Sequence, residues 1–158
     1  MNVLFVDLEN VCRSPLAEAI LKKKFKENNI SGEVDSAGFE SFTINEPPDS
    51  RVANVALKNG YVPEGIARIF RKEDFSLFDK IFVMDTQNYN DVMALAKTEE
   101  HRAKVDYLLN VLGEAKNRTV PNPYQNGESD CDFIFDILDK ATDKIVEMAK
   151  KENKAVHA

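Results

Sequence analysis

The chain opens on a short block of apolar residues, Val3-Leu-Phe-Val6, rich in β-branched and aromatic side chains, which predicts a buried strand. A turn-like stretch from Asp7 to Ser14 follows, and then Leu16, Ala19, Ile20 and Phe25 recur at helical spacing. Ser14 is expected to cap that helix, Pro15 to be its first residue and Asn28-Asn29 to close it. Val34 to Gly38 reads as a second strand entering a loop. Phe39 to Pro48 is irregular, and Asp49 is placed to cap a helix over Ser50 to Lys58 that stops at Asn59-Gly60. Lys72 to Leu77 is expected as a short helical piece, Lys80 to Asp85 as the third strand and Asn88 to Ala96 as the helix behind it. Lys104 to Leu109 is a candidate fourth strand, and Gly113 to Asn126 a polar loop. Finally, Phe133, Ile134, Ile137, Leu138, Ala141, Ile145 and Met148 form the apolar stripe of a long last helix. Strands alternating with helices predict an α/β fold, a parallel sheet with helices on both faces. One domain over residues 1–150 is expected, with 151–158 a frayed tail.

Composition narrows the picture. At 158 residues, 43% hydrophobic and 30% charged, the chain suits one compact core. It carries 21 basic and 27 acidic residues, a formal charge of −6, which disfavours nonspecific binding to nucleic acid or to an anionic membrane. Two cysteines do not make a secreted disulfide scaffold and lack the spacing of a zinc site. The start MNVLFVD does not have the pattern of a signal peptide, and no run approaches the roughly eighteen apolar residues of a membrane span. A cytoplasmic protein with no metal and no cofactor is the expectation.

The candidate chemistry sits where the first strand ends. Ligands of open parallel sheets bind beyond the carboxyl ends of the strands, and there the chain runs Asp7-Leu8-Glu9-Asn10-Val11-Cys12-Arg13-Ser14 straight into a helix. Such a loop aims backbone N–H groups and a positive helix end at one point, which suits an anion. Arg13 adds a planar fork matched to phosphate or carboxylate. The plainer alternative is an arginine that only caps a strand–helix turn.

The run from Val3 to Ala19 resembles the N-terminal signature of the low-molecular-weight protein-tyrosine phosphatases. The likeness continues through Asp35-Ser-Ala-Gly38, Pro47-Pro-Asp-Ser-Arg51, Ala67-Arg68, Asp74-Phe75, Phe82-Val-Met-Asp85 and Pro121-Asn-Pro-Tyr124, in the family's order. The resemblance implies a doubly wound sheet of four parallel strands and a phosphotyrosine phosphatase whose loop cysteine attacks phosphorus. It further implies that Arg13 clamps the phosphate oxygens, that Ser14 supports the nucleophile and that Asn10 shapes the loop. By the same resemblance Phe42 and Tyr124 belong to the substrate groove, and the partner is a phosphotyrosine protein or a small anion.

Three residues depart from that pattern. Asp7 stands at the nucleophile position, Glu9 where the family usually has a loop glycine, and Asn122 at the general-acid position. Thiolate chemistry is excluded at Asp7 by residue type. A carboxylate facing one phosphate charge at about 4 Å is opposed by roughly 4 kcal/mol at an effective dielectric near 20. Asn122 has no proton to release near neutral pH. Glu9 adds a further negative charge, and it would strain the backbone if that position has positive φ. Asp7 or Glu9 is thus a candidate built-in anion, held by backbone N–H groups and paired with Arg13. Cys12 has no cysteine at position 7 to pair with under oxidation.

The remaining features read as structural. Cys131 is expected to pack, Tyr107, Phe133 and Phe135 to belong to the core or line a groove, Lys22 to Lys24 to form a solvated helix face, and Arg51 and Arg68 to make ion pairs. His101 and His157 are expected at the surface, Asp85 as a helix cap, and Asp35, Ser36 and Gly38 as supports of a neighbouring loop. The expectation for function is a pseudo-phosphatase that keeps the loop scaffold. The alternatives are an active phosphatase, either by an Asp7 route or as an altered active parent, and the related arsenate-reducing branch, which also needs the missing thiol.

Overall fold

The computed structural model describes residues 1–122 and 128–157. Four strands, β1 (Val3–Val6), β2 (Val34–Ala37), β3 (Lys80–Val83) and β4 (Val105–Tyr107), form one parallel sheet in the order β2-β1-β3-β4. The pairing aligns Phe5 with Ser36 on one side and with Phe82 on the other. Among the described residues six α-helices accompany them: α1 (Arg13–Glu27), α2 (Ser50–Lys58), α3 (Asp74–Leu77), α4 (Thr86–Leu95), α5 (Glu99–Ala103) and α6 (Glu128–His157).

The period-two alternation of β1 divides the core. Val3 and Phe5 point to the face covered by α1, α2 and α6, where they meet Leu16, Ile20, Val52, Ile134, Leu138 and Ile145. Leu4 and Val6 point to the opposite face and pack with Phe75, Ile81 and Val92, from α3, β3 and α4. β1 is buried on both faces because it lies inside the sheet, which is why its sequence is continuously apolar.

Several expectations are corrected in detail. Helix α1 begins at Arg13, with Cys12 rather than Ser14 at its cap position, because the Ser14 N–H is engaged by Asp7 instead. The fourth strand stops at Tyr107, and Leu108–Leu112 turns into a 3-10 helix. Helix α5, capped by Thr98 Oγ1 on the His101 N–H, has no apolar stripe to reveal it. Helix α6 runs on through residues 151–157. Phe133 is more than half exposed, the inward position being taken by Phe135. Lys24 is buried and not part of a solvated face. Its Nζ bonds Asp139 Oδ1 at 2.7 Å, Asp143 Oδ1 at 2.8 Å and Thr142 Oγ1 at 2.9 Å, fastening α1 to α6. His101 is half-buried, its ring stacked on Phe75 with centroids 4.6 Å apart.

Candidate functional site

Because β2 and β3 flank β1, the chain leaves β1 at the point where the sheet's connections diverge to either side, the usual place for a ligand crevice. Loop 7–14 starts there, and the residues beneath it fix its shape. Asp7 is 1% exposed. Its Oδ1 accepts from the Asn10 N–H at 2.6 Å and its Oδ2 from the Ser14 N–H at 2.9 Å, so one carboxylate spans the loop from base to helix start. An ionised carboxylate is acceptor-only and matches two converging donors.

Asn10 is the pivot of the loop. Its φ of +58° is uncommon for a residue with a side chain, though asparagine tolerates it best. Three bonds hold it: its Nδ2 donates to Ser14 Oγ at 2.9 Å and to Ser36 Oγ at 2.8 Å, and its Oδ1 accepts from the Arg68 N–H at 3.0 Å. Ser36 in turn donates to Glu18 Oε1 at 2.6 Å, and Lys22 donates to Glu18 Oε2 at the same distance. Burial raises the Glu18 carboxyl above its ordinary value, against the lowering effect of the bonds from Lys22 and Ser36. Arg68 is itself locked by buried Asp74, which accepts at 3.0 and 3.1 Å, and by Asp35. Those pairs outweigh burial and raise the Arg68 guanidinium further above its ordinary value.

Gly38 closes the underside. A Cβ there would lie 2.7 Å from the Leu8 carbonyl oxygen and 3.0 Å from the Asn10 Cβ, so the second strand can approach the loop only without a side chain. The 39–49 segment then clamps the loop from above. The Phe39 and Glu40 N–H groups donate to the Leu8 carbonyl, Thr43 Oγ1 donates to the Glu9 carbonyl at 2.7 Å, and the Asp49 N–H donates to the Val11 carbonyl at 2.8 Å.

Arg13 is 6% exposed and does not pair with Asp7 as the sequence suggested. Its Nη1 donates instead to Asp85 Oδ2 at 3.0 Å and to the Val120 carbonyl at 2.8 Å. Asp85 follows two residues after β3 and caps α4 through the Asn88 N–H, as expected, but its pairing with Arg13 was not foreseen. The available signal was its place at the carboxyl end of the strand beside β1. Buried Asn88, turned to satisfy its amide, donates to Asp85 Oδ1 at 3.1 Å and accepts from the Leu8 N–H at 3.3 Å.

Asp7, Leu8, Glu9, Cys12, Arg13, Asp85, Gln87 and Asn122 surround a cavity of about 90 Å³, room for one small group. Glu9 is half-buried and does not have positive φ, so the anticipated backbone strain is absent. Asn122 is exposed and lines the same cavity. Cys12 and Cys131 are both buried. Phe42 is 72% exposed within the 3-10 turn Ser41–Thr43, and Tyr124 lies outside the described residues. Among the described residues no group of three or more His, Cys, Asp or Glu is arranged to hold a metal ion, and no helix is long and apolar enough to cross a membrane.

A parallel sheet whose first strand feeds a tight loop, a buried arginine and a helix start defines the class of α/β protein with a crevice beyond its strand ends. Within that class the chain matches, over residues 2–155, the family described as low molecular weight phosphotyrosine protein phosphatase, and it belongs to that family. It is 36% identical to the human low molecular weight phosphotyrosine protein phosphatase over 137 residues, covering 85% of this chain and 86% of that one. Among solved structures it resembles a protein tyrosine phosphatase of Entamoeba histolytica with Hepes in the active site, at 33% identity and a TM-score of 0.89, with 97% of this chain and 99% of that chain covered. A Drosophila arginine phosphatase is similar at 29% identity and a TM-score of 0.88, over 95% and 98% of the two chains. The four-stranded parallel sheet flanked by helices is the family's fold.

Proposed function

We propose that this chain is a pseudo-phosphatase: it keeps the family's loop scaffold and does not hydrolyse phosphotyrosine by a covalent thiol route. One observation carries the reading. The group at the loop base is the buried carboxylate of Asp7, bonded to the Asn10 and Ser14 N–H groups. A negative charge already occupies donors of the loop, and an incoming phosphate would face it with little water between. In this reading Asp7 stands for the family's nucleophilic cysteine, Glu9 for a loop glycine and Asn122 for the general acid. Expelling a phenolate near neutral pH calls for a proton donor, and an amide supplies none. Arg13, tied to Asp85, serves to hold the cavity's shape. The surviving role is binding.

Phosphate release from an aryl phosphate tests this, with the native chain measured beside the triple variant Asp7→Cys, Glu9→Gly, Asn122→Asp. The native chain should stay at background. The triple variant should exceed it by about a thousandfold or more, given what a thiolate nucleophile and a positioned acid contribute. Turnover by the native chain at a comparable rate would reinstate an active enzyme built on Asp7.

A further inference from the structure

Resting on the pseudo-phosphatase reading, we infer that the mouth of this cavity is a docking surface for a basic, apolar peptide segment, whose lysine or arginine pairs with Glu9 while its apolar side chain covers Phe42 and Ile44. The surface follows from how the 39–49 segment is held. Thr43 is buried and its hydroxyl bonds the Glu9 carbonyl at 2.7 Å, so its sequence neighbours Phe42 and Ile44 are fixed beside Glu9 and turned outward, 72% and 43% exposed. Two large apolar side chains held beside the loop leave apolar area in water that an occupant would cover.

Charge selects the occupant. Glu9 and Glu40 are half-buried, Glu46 is exposed, and none of the three carboxylates makes an ion pair with a described residue. The cation lining the cavity, Arg13, is already committed to Asp85 and to the Val120 carbonyl, and Asp7 is satisfied by backbone. Among the described residues, Glu9 and the 39–46 segment therefore present carboxylates without an ion-pair partner beside exposed apolar side chains, on a protein of net charge −6. That field attracts a cationic segment and repels a phosphorylated one. The family fold is thus used with the charge of its ligand reversed.

Fluorescence anisotropy on the full chain tests the inference with three labelled peptides of one sequence, Ala-Gly-Leu-Xaa-Leu-Gly-Ala, in which Xaa is arginine, glutamate or phosphotyrosine. The arginine peptide should bind at least about tenfold tighter than the other two and weaken as salt rises from 50 to 300 mM. Glu9→Lys, at a half-buried position, and Phe42→Ala, at an exposed one, should each weaken it about fivefold or more while leaving the thermal midpoint in place. Tighter binding of the phosphotyrosine peptide, or no binding of the arginine peptide, would overturn the inference. Aryl-phosphate turnover is read on the same samples. A silent chain that ignores the arginine peptide defeats only the docking surface, whereas a chain that turns over defeats the pseudo-phosphatase reading itself.

Discussion

In the base of loop 7–14 and just beneath it, Asp7, Asn10, Ser14, Glu18 and Ser36 are each at most 6% exposed and joined in one run of hydrogen bonds. At the mouth, Glu9 makes no side-chain bond to a described residue and Phe42 is 72% exposed. No described buried side-chain polar atom lacks a partner. The difference separates two jobs that an active site usually merges. The loop's shape is set by Asn10, Gly38 and the network below, whereas what the loop can do is set by the groups at its base and rim. A chain can therefore keep the first while its second is rewritten.

That contrast can be broken by substitution, and the largest effects belong beneath the loop. Asn10→Ala removes three side-chain bonds, two of them buried, and leaves alanine at positive φ, so it should cost about 3 kcal/mol in a urea titration. Asp7→Ala strands the Asn10 and Ser14 N–H groups and should cost about 2 kcal/mol by the same measurement. Lys24→Met loosens α1 from α6; its aspartate partners are partly exposed, so about 1–2 kcal/mol is expected. At the mouth, Glu9→Gln and Phe42→Ala should each change stability by no more than about 0.5 kcal/mol. Mouth substitutions as costly as those below would erase the distinction.

Glu18 sharpens it through pH. Its carboxyl is held above the ordinary value of 4.5, chiefly by burial. The folded protein keeps this proton to higher pH than the unfolded chain does. Stabilisation from it is complete below the ordinary value and is lost as pH rises through the folded value. Glu18→Gln removes that loss, so the variant's urea midpoint relative to native should increase from pH 4 to pH 7. A constant difference would show that the carboxyl does not carry the network's pH dependence.

Much of this was legible in the sequence. Asp49 and the helix Ser50–Lys58 fall where read, because an aspartate cap and an asparagine–glycine stop are local signals. The short β1 run gave its strand directly. Lys24 was misread because nothing in a lysine triplet shows that two aspartates from α6 will meet its last member. Arg13 was misassigned for a similar reason. Its pairing with Asp85 depends on β1 and β3 being neighbours, a tertiary fact, while the Asp7 bonds to Asn10 and Ser14 are local and were anticipated in kind. Glu9 posed a backbone question that sequence left open, and the positive φ falls on Asn10, one residue later.

The central claim is that Asp7 fills the loop as its own anion. It is tested most directly by the thermal midpoints of the native chain and of Asp7→Ser, each with and without 10 mM inorganic phosphate. The native midpoint should not move, while that of Asp7→Ser should rise by about 3–6 °C as phosphate takes the vacated donors. An equal or larger rise in the native chain would mean that the loop still receives an external anion, and that the carboxylate at its base is no substitute for one.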